Sequence, residues 1–83
     1  MLTWDEPKRR ANLVKHGLDF AGDERFEMDT ALVMPSRAGR TIAIGLLDDA
    51  VIAIVIKPLG IEATAIISMR PASRRERMLY AQT

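Results

Sequence analysis

The hydrophobic pattern of this chain changes period once. Up to about Met28 the apolar residues recur at helical spacing, and from Thr30 onward they alternate. Met1 to Trp4 reads as a short edge strand. Asp5-Glu6-Pro7 then predicts a helix start, with an acidic N-cap and a proline in the first turn, where its missing N–H costs nothing. That helix is expected to run to His16 and stop at Gly17, with Lys15 and His16 in a last turn that favours positive charge. Ala11, Val14 and Leu18 follow i, i+3, i+7 spacing and define its apolar side, while Lys8, Arg9 and Arg10 spread over the others. Gly22 to Met28 predicts a second, short helix with Phe26 turned inward.

Four alternating runs follow: Thr30–Met34, Arg40–Leu47, Ala50–Lys57 and Ala63–Met69. Asp48-Asp49 is a tight connection and Pro58-Leu59-Gly60 supplies a turn, so the strands are expected to pair in sequence as an antiparallel meander. In Arg40–Leu47, Ile42, Ile44 and Leu46 share one face, with Thr41, Ala43 and Gly45 on the other. Ile52, Ile54 and Ile56 alternate with Val51, Ala53 and Val55, so both faces of that strand are apolar and it is expected at the centre of the sheet. Pro71 ends the last strand. Ser73-Arg74-Arg75-Glu76 has the S-x-x-E form of a capping box and starts a final helix carrying Met78, Leu79 and Tyr80. The order of elements predicts an α+β class.

Length sharpens this picture. Eighty-three residues make one domain, 1–83, and a chain this small buries little of its surface, so association with another chain is expected to add stability. The core must be aliphatic, since apolar residues are 48% of the chain and aromatic ones only 5%. No apolar stretch reaches the ~20 residues that cross a bilayer, because Asp48 and Asp49 cut the longest one. With no basic-then-apolar N-terminal segment and no cysteine, the chain reads as cytoplasmic and without membrane contact.

Metal chemistry finds no first shell in one histidine, no cysteine and no carboxylates paired at ligand spacing, so neither a metal nor another cofactor is expected. The glycines are scattered and form no phosphate loop, and three serines with a single histidine define no nucleophilic triad. Charge is more informative in its distribution than in its sum. Net charge is +1, yet from Ser68 onward there are four arginines against one glutamate. The capping box places Arg74 and Arg75 in a first helical turn, where the macrodipole disfavours positive charge by roughly 0.3–1 kcal/mol each. A bound anion reverses that sign, since free N–H groups and guanidinium forks then point at it together, and Arg70 just upstream can join them. The alternative is a solvated arginine face partly paired to Glu76.

Other residues also carry two readings. His16 is either a proton carrier or a partner for the last carbonyls of its helix. Lys15 divides the same way, as a phosphate ligand or a solvated charge. Trp4 either stacks on a base or anchors the core. Tyr80, four residues after Glu76, either packs or donates to a phosphate. Asn12, a poor helix former in mid-helix, caps or ties down a neighbouring loop.

Trp4-Asp5-Glu6, Lys8, Asn12, Lys15-His16-Gly17 and Phe20, followed by Ile67-Ser68-Met69-Arg70, Ala72, Glu76 and Tyr80, resemble the BrnT family of bacterial toxins. The last strand departs from the family's commoner pattern, with Ala65 in place of Arg and Met69 in place of Ala. The resemblance implies a RelE-like fold with two N-terminal helices, a four-stranded mainly antiparallel sheet and a C-terminal helix. It implies a ribonuclease that halts translation and is neutralised by a small DNA-binding antitoxin, BrnA. It also implies homo- or hetero-oligomers, with operon DNA contacted only through the antitoxin. Metal-free cleavage uses the 2′-hydroxyl of the RNA itself. Arg70, Arg74 and Arg75, with Lys15, would then hold the phosphate, and His16 would move the proton, with Glu76 or Tyr80 as alternatives. The competing reading is a binding module without catalysis that docks an antitoxin-like partner and acts in operon autoregulation.

Overall fold

The computed structural model describes residues 2–83. Among the described residues five strands and two α-helices form: β1 (Leu2–Thr3), α1 (Glu6–His16), β2 (Leu32–Pro35), β3 (Thr41–Leu47), β4 (Ala50–Leu59), β5 (Ala63–Pro71) and α2 (Arg74–Ala81). The sheet order is β1-β5-β4-β3-β2. β2 through β5 make the expected antiparallel meander with β4 at its centre, while β1 runs parallel to β5, Leu2 opposite Thr64 and Thr3 opposite Ala65.

The α+β class therefore stands, but the sheet is five-stranded and mixed. The RelE-like arrangement of two N-terminal helices on four antiparallel strands does not describe it. The expected edge strand shrinks to Leu2–Thr3, and Met1 lies outside the described residues. In place of a second α-helix over Gly22–Met28, the chain makes a 3₁₀ segment, Phe20–Arg25, and a 3₁₀ turn, Met28–Thr30. Asp19 caps the first by accepting from the Ala21 N–H at 2.9 Å, and Phe26 breaks away to bridge Leu47. A longer helix would carry Phe26 off the sheet.

Strand limits also move. β4 and β5 extend to Leu59 and Pro71, so Pro71 is paired opposite Ile52 instead of ending the strand before it. Between them the register slips, and Ile67 is left without an opposite partner. Asp48 and Asp49 close the β3–β4 hairpin in left-handed backbone, φ 49° and 70°. That is the geometry a two-residue hairpin demands, and it is normally met by Asn-Gly.

Both sheet faces are covered. Ile52, Ile54, Ile66 and Met69 pack with Phe20 and Phe26, flanked by Trp4 and Leu18. On the opposite face, Ile44, Ala53 and Ala72 pack with Tyr80 of α2. Phe20, Ile44, Ile54, Ile66 and Met69 are the largest side chains wholly removed from water, each stabilising by about 1.5–3 kcal/mol. Gly45 has a steric reason: a Cβ there would lie 2.9 Å from Phe26 Cζ and 3.1 Å from Ala31 Cβ.

The greatest departure from the hydrophobic pattern is α1. Val14, expected to face inward, is 89% exposed, and the residue that α1 buries is Asn12. β1 covers only the first part of β5, and α1 continues along the edge that β1 leaves. A helix on a sheet edge buries a narrow line instead of a broad stripe. Its central residue there must satisfy the strand's open hydrogen bonds, which an aliphatic side chain cannot do. Asn12 Oδ1 accepts from the Met69 N–H at 3.1 Å, and its Nδ2 donates to the Leu18 carbonyl at 3.0 Å. No described helix is long and apolar enough to cross a membrane.

Candidate active site

The capping box at Ser73 forms as its spacing predicts. Ser73 Oγ accepts from the Glu76 N–H at 3.1 Å, and the Ser73 N–H donates to Glu76 Oε1 at 2.8 Å. The same carboxylate takes Arg70 in a two-point fork, Nη1 to Oε1 at 2.6 Å and Nη2 to Oε2 at 2.9 Å. Arg70 foremost, and the Ser73 N–H with it, hold the Glu76 carboxyl at about 2, while the Arg70 guanidinium is pushed further up. Glu76 is therefore anionic through the neutral range and has no proton to move. Its work is to lock the start of α2 onto β5.

That lock has a pH signature. A carboxyl whose folded value is depressed stabilises above its unfolded value, near 4.5, and loses this as pH falls toward about 2. The full contribution is at most about 3 kcal/mol. Glu76→Gln should thus melt well below the parent protein at pH 7, and the two melting curves should converge between pH 4.5 and 2.5. A gap that stays constant across that range removes the fork from the stability account.

Of the two readings of the arginine cluster, pairing to Glu76 is what Arg70 adopts. Arg74 and Arg75 are exposed and outside the ion pairs formed among the described residues, and Arg77 turns back to the Ala72 carbonyl at 3.0 Å. Arg70 and Arg77 are thus already engaged within the protein, while Arg74 and Arg75 face solvent. Arg70 and Ser68, two apart on β5 and opposite Ala53 and Val55, project to the face that carries α2.

His16 and Lys15 reach the same strand from α1, at Ser68, two residues before Arg70. With Lys8, Ala11, Asn12, Ile67 and Ser68 they line a groove of about 290 Å³ between α1 and the edge of β5. This lining contains two lysines and one imidazole and no carboxylate. The opposite holds on the other side of α1. There Arg9 is taken by Glu6 at 3.0 Å and by Asp19 at 3.0 Å, which cancels its charge. The Trp4 indole N–H first, and Arg9 after it, lower the Glu6 carboxyl, and the Ala21 N–H first, then Arg9, lower that of Asp19. Lys8 and Lys15 take part in no ion pair among the described residues. The groove is consequently a local positive field on a nearly neutral protein.

Tyr80 is in neither place. It packs under α2 against Ile44, Ala53 and Ala72 and lines an open depression beside β2 with Asp29, Leu32 and Val33. Trp4 takes its core reading, partly buried against the Phe20 cluster, with its indole N–H donating to Glu6 at 2.9 Å. Lys8 and Ser68 enter the sequence reading through the family resemblance, without a site role. The i, i+3, i+7 line of Lys8, Ala11 and Lys15 was the available signal, hidden because the Ala11–Val14 spacing competes with it. No group of three or more metal-ligating side chains converges among the described residues.

The family model of the BrnT ribonuclease toxin of type II toxin–antitoxin systems matches residues 4–76. The chain is also similar to the ribonuclease toxin BrnT of Brucella abortus, known from a 1.1 Å crystal structure. The two are 47% identical, with a TM-score of 0.78, over 88% of this chain and 96% of that one. No curated protein matches it.

Proposed function

Because the chain belongs to the BrnT family of ribonuclease toxins from type II toxin–antitoxin systems, we propose that it is a metal-independent endoribonuclease that stops translation by cutting RNA. A single observation carries the placement of its active centre: the groove between α1 and β5 combines the imidazole with two unpaired lysines and excludes carboxylates. A phosphodiester anion is attracted there, and the imidazole, a side chain that can both accept and donate a proton, stands beside it.

In this mechanism His16 removes the proton of a ribose 2′-hydroxyl. The 2′-oxygen forms a bond to the adjacent phosphorus, and the bond from phosphorus to the 5′-oxygen breaks. Water entering the open groove protonates the departing oxygen, and the hydroxide so formed takes back the proton held by His16, leaving a 2′,3′-cyclic phosphate, a 5′-hydroxyl and the imidazole restored. Charge that builds on the phosphoryl oxygens meets Lys15 and, from β5, Arg70, with Arg74 and Arg75 holding more distant phosphates. Neither Glu76, fixed as an anion, nor Tyr80, packed beside β2, moves a proton. Residues 1–83 act as one domain. A BrnA-type DNA-binding antitoxin neutralises them, and the complex reaches DNA through that partner to regulate its own operon.

The test is induction in a bacterium without the antitoxin, followed by primer extension on total RNA. Growth arrest with discrete new 5′ ends is expected, and His16→Ala should reduce the cut ends by about 100- to 10,000-fold. Normal growth with soluble protein and intact RNA would instead establish a docking module without catalysis.

A further inference from the structure

Lys8, Ala11 and Lys15 form one line on α1, at i, i+3 and i+7, and all three line the α1–β5 groove. Seven residues of α-helix place the two lysines about 10.5 Å apart along the axis. A stacked strand advances about 3.4 Å per nucleotide, so this spacing spans about three stacked nucleotides and fewer of an extended strand. Between the lysines the lining is apolar or neutral: Ala11, Asn12, Ile67 and Ser68. Asn12 is already committed to the Met69 N–H and the Leu18 carbonyl, so it offers no competing charge and keeps the helix at a set distance from the strand.

We propose that Lys8 is an RNA-binding residue: together with Lys15 it grips two phosphates of one extended single strand laid along α1, with the one or two nucleotides between them passing over Ala11 and Ile67. This rests on the ribonuclease reading and adds to it the direction in which the substrate runs and the length of strand required. A groove of about 290 Å³ suits one nucleotide with its flanking phosphates. It lies at the small end of the ~300–1,000 Å³ typical of small-molecule sites, far below what a duplex needs. Single strands are also the form in which bases are free to leave the stack and lie on an apolar surface. The opposite flank of α1 is unsuited, because Arg9 is neutralised there by two carboxylates.

The experiment is fluorescence anisotropy with a short single-stranded 2′-deoxy oligonucleotide, which cannot be cut for lack of the attacking hydroxyl. Affinity is measured between about 50 and 200 mM salt for the full chain, Lys8→Gln and Arg10→Gln. Arg10 is an exposed cation on the same helix that does not line the groove. Each phosphate contact to a single strand contributes about 0.7 to the slope of log affinity against log salt. Lys8→Gln is therefore expected to lower the slope by about 0.7, and Arg10→Gln to leave it unchanged. An unchanged slope in Lys8→Gln, an equal fall in both variants, or no salt-dependent binding by the parent chain overturns the assignment. Cleavage of the matching ribo-oligonucleotide is scored separately. Lys8-dependent binding without cutting removes the catalytic reading and leaves the binding site standing, whereas cutting without Lys8 dependence does the reverse.

Discussion

Arg70→Ala is expected to lower RNA cleavage by about 100- to 1,000-fold at saturating substrate, the cost of removing one preorganised donor from a developing oxyanion. The guanidinium sits on a strand bonded along its length to β4, and the Glu76 fork fixes its plane. A donor held in this way needs no reorganisation when charge develops on phosphorus. The fork also stabilises the fold, so loss of activity alone is ambiguous. Glu76→Gln resolves it. That variant weakens the same lock but leaves the guanidinium in place and frees it of a competing carboxylate. It should keep activity within about tenfold of the parent, a difference of roughly 1.4 kcal/mol, while losing melting temperature. If Glu76→Gln falls as far as Arg70→Ala, the arginine acts through the lock and not on the phosphate.

The largest effect on stability is expected at Asn12. Replacement by alanine leaves the Met69 N–H and the Leu18 carbonyl without partners at a site where the side chain is almost wholly buried. Each buried unsatisfied group costs about 1–3 kcal/mol, so Asn12→Ala should destabilise by about 2–4 kcal/mol. For a chain of this size that is a fall in melting temperature of about 10–20 °C. Leucine, close to Asn in shape and a better helix former, should rescue little, because the deficit lies in hydrogen bonding and not in packing. Thermal melts of the two variants decide this. A loss of less than about 4 °C, the equivalent of about 1 kcal/mol, would mean that water enters and replaces the amide.

Much of the fold could be read from residue order alone. The strand alternation located β3, β4 and β5 to within two residues, because apolar residues on both faces of Ile52–Ile56 leave that segment no place but the middle. The Ser73 box and the Gly17 stop were equally legible, since caps are local hydrogen-bond problems with few solutions; Gly17 takes φ 69°, and its N–H reaches the Leu13 carbonyl at 2.8 Å. The second N-terminal helix was misread. A capped 3₁₀ segment and an α-helix share their start signals, and the position of Phe26 over Gly45 chose between them.

The candidate site divides along the same line. Residue types and local spacing determined that this chain holds one imidazole, a final helix capped at Ser73 and arginines crowded around its start. Periodicity alone could not say which of those arginines is already paired, because Arg70 meets Glu76 across a strand end and a turn. Nor could it place His16 and Lys15 opposite Ser68, more than fifty residues away in sequence. That juxtaposition exists because β1 stops after Thr3 and α1 takes over the vacant edge of β5, held there by one amide. Edge occupancy is a contest between strand and helix for the same unpaired backbone groups. It is settled by long-range hydrogen bonding, which hydrophobic spacing does not encode.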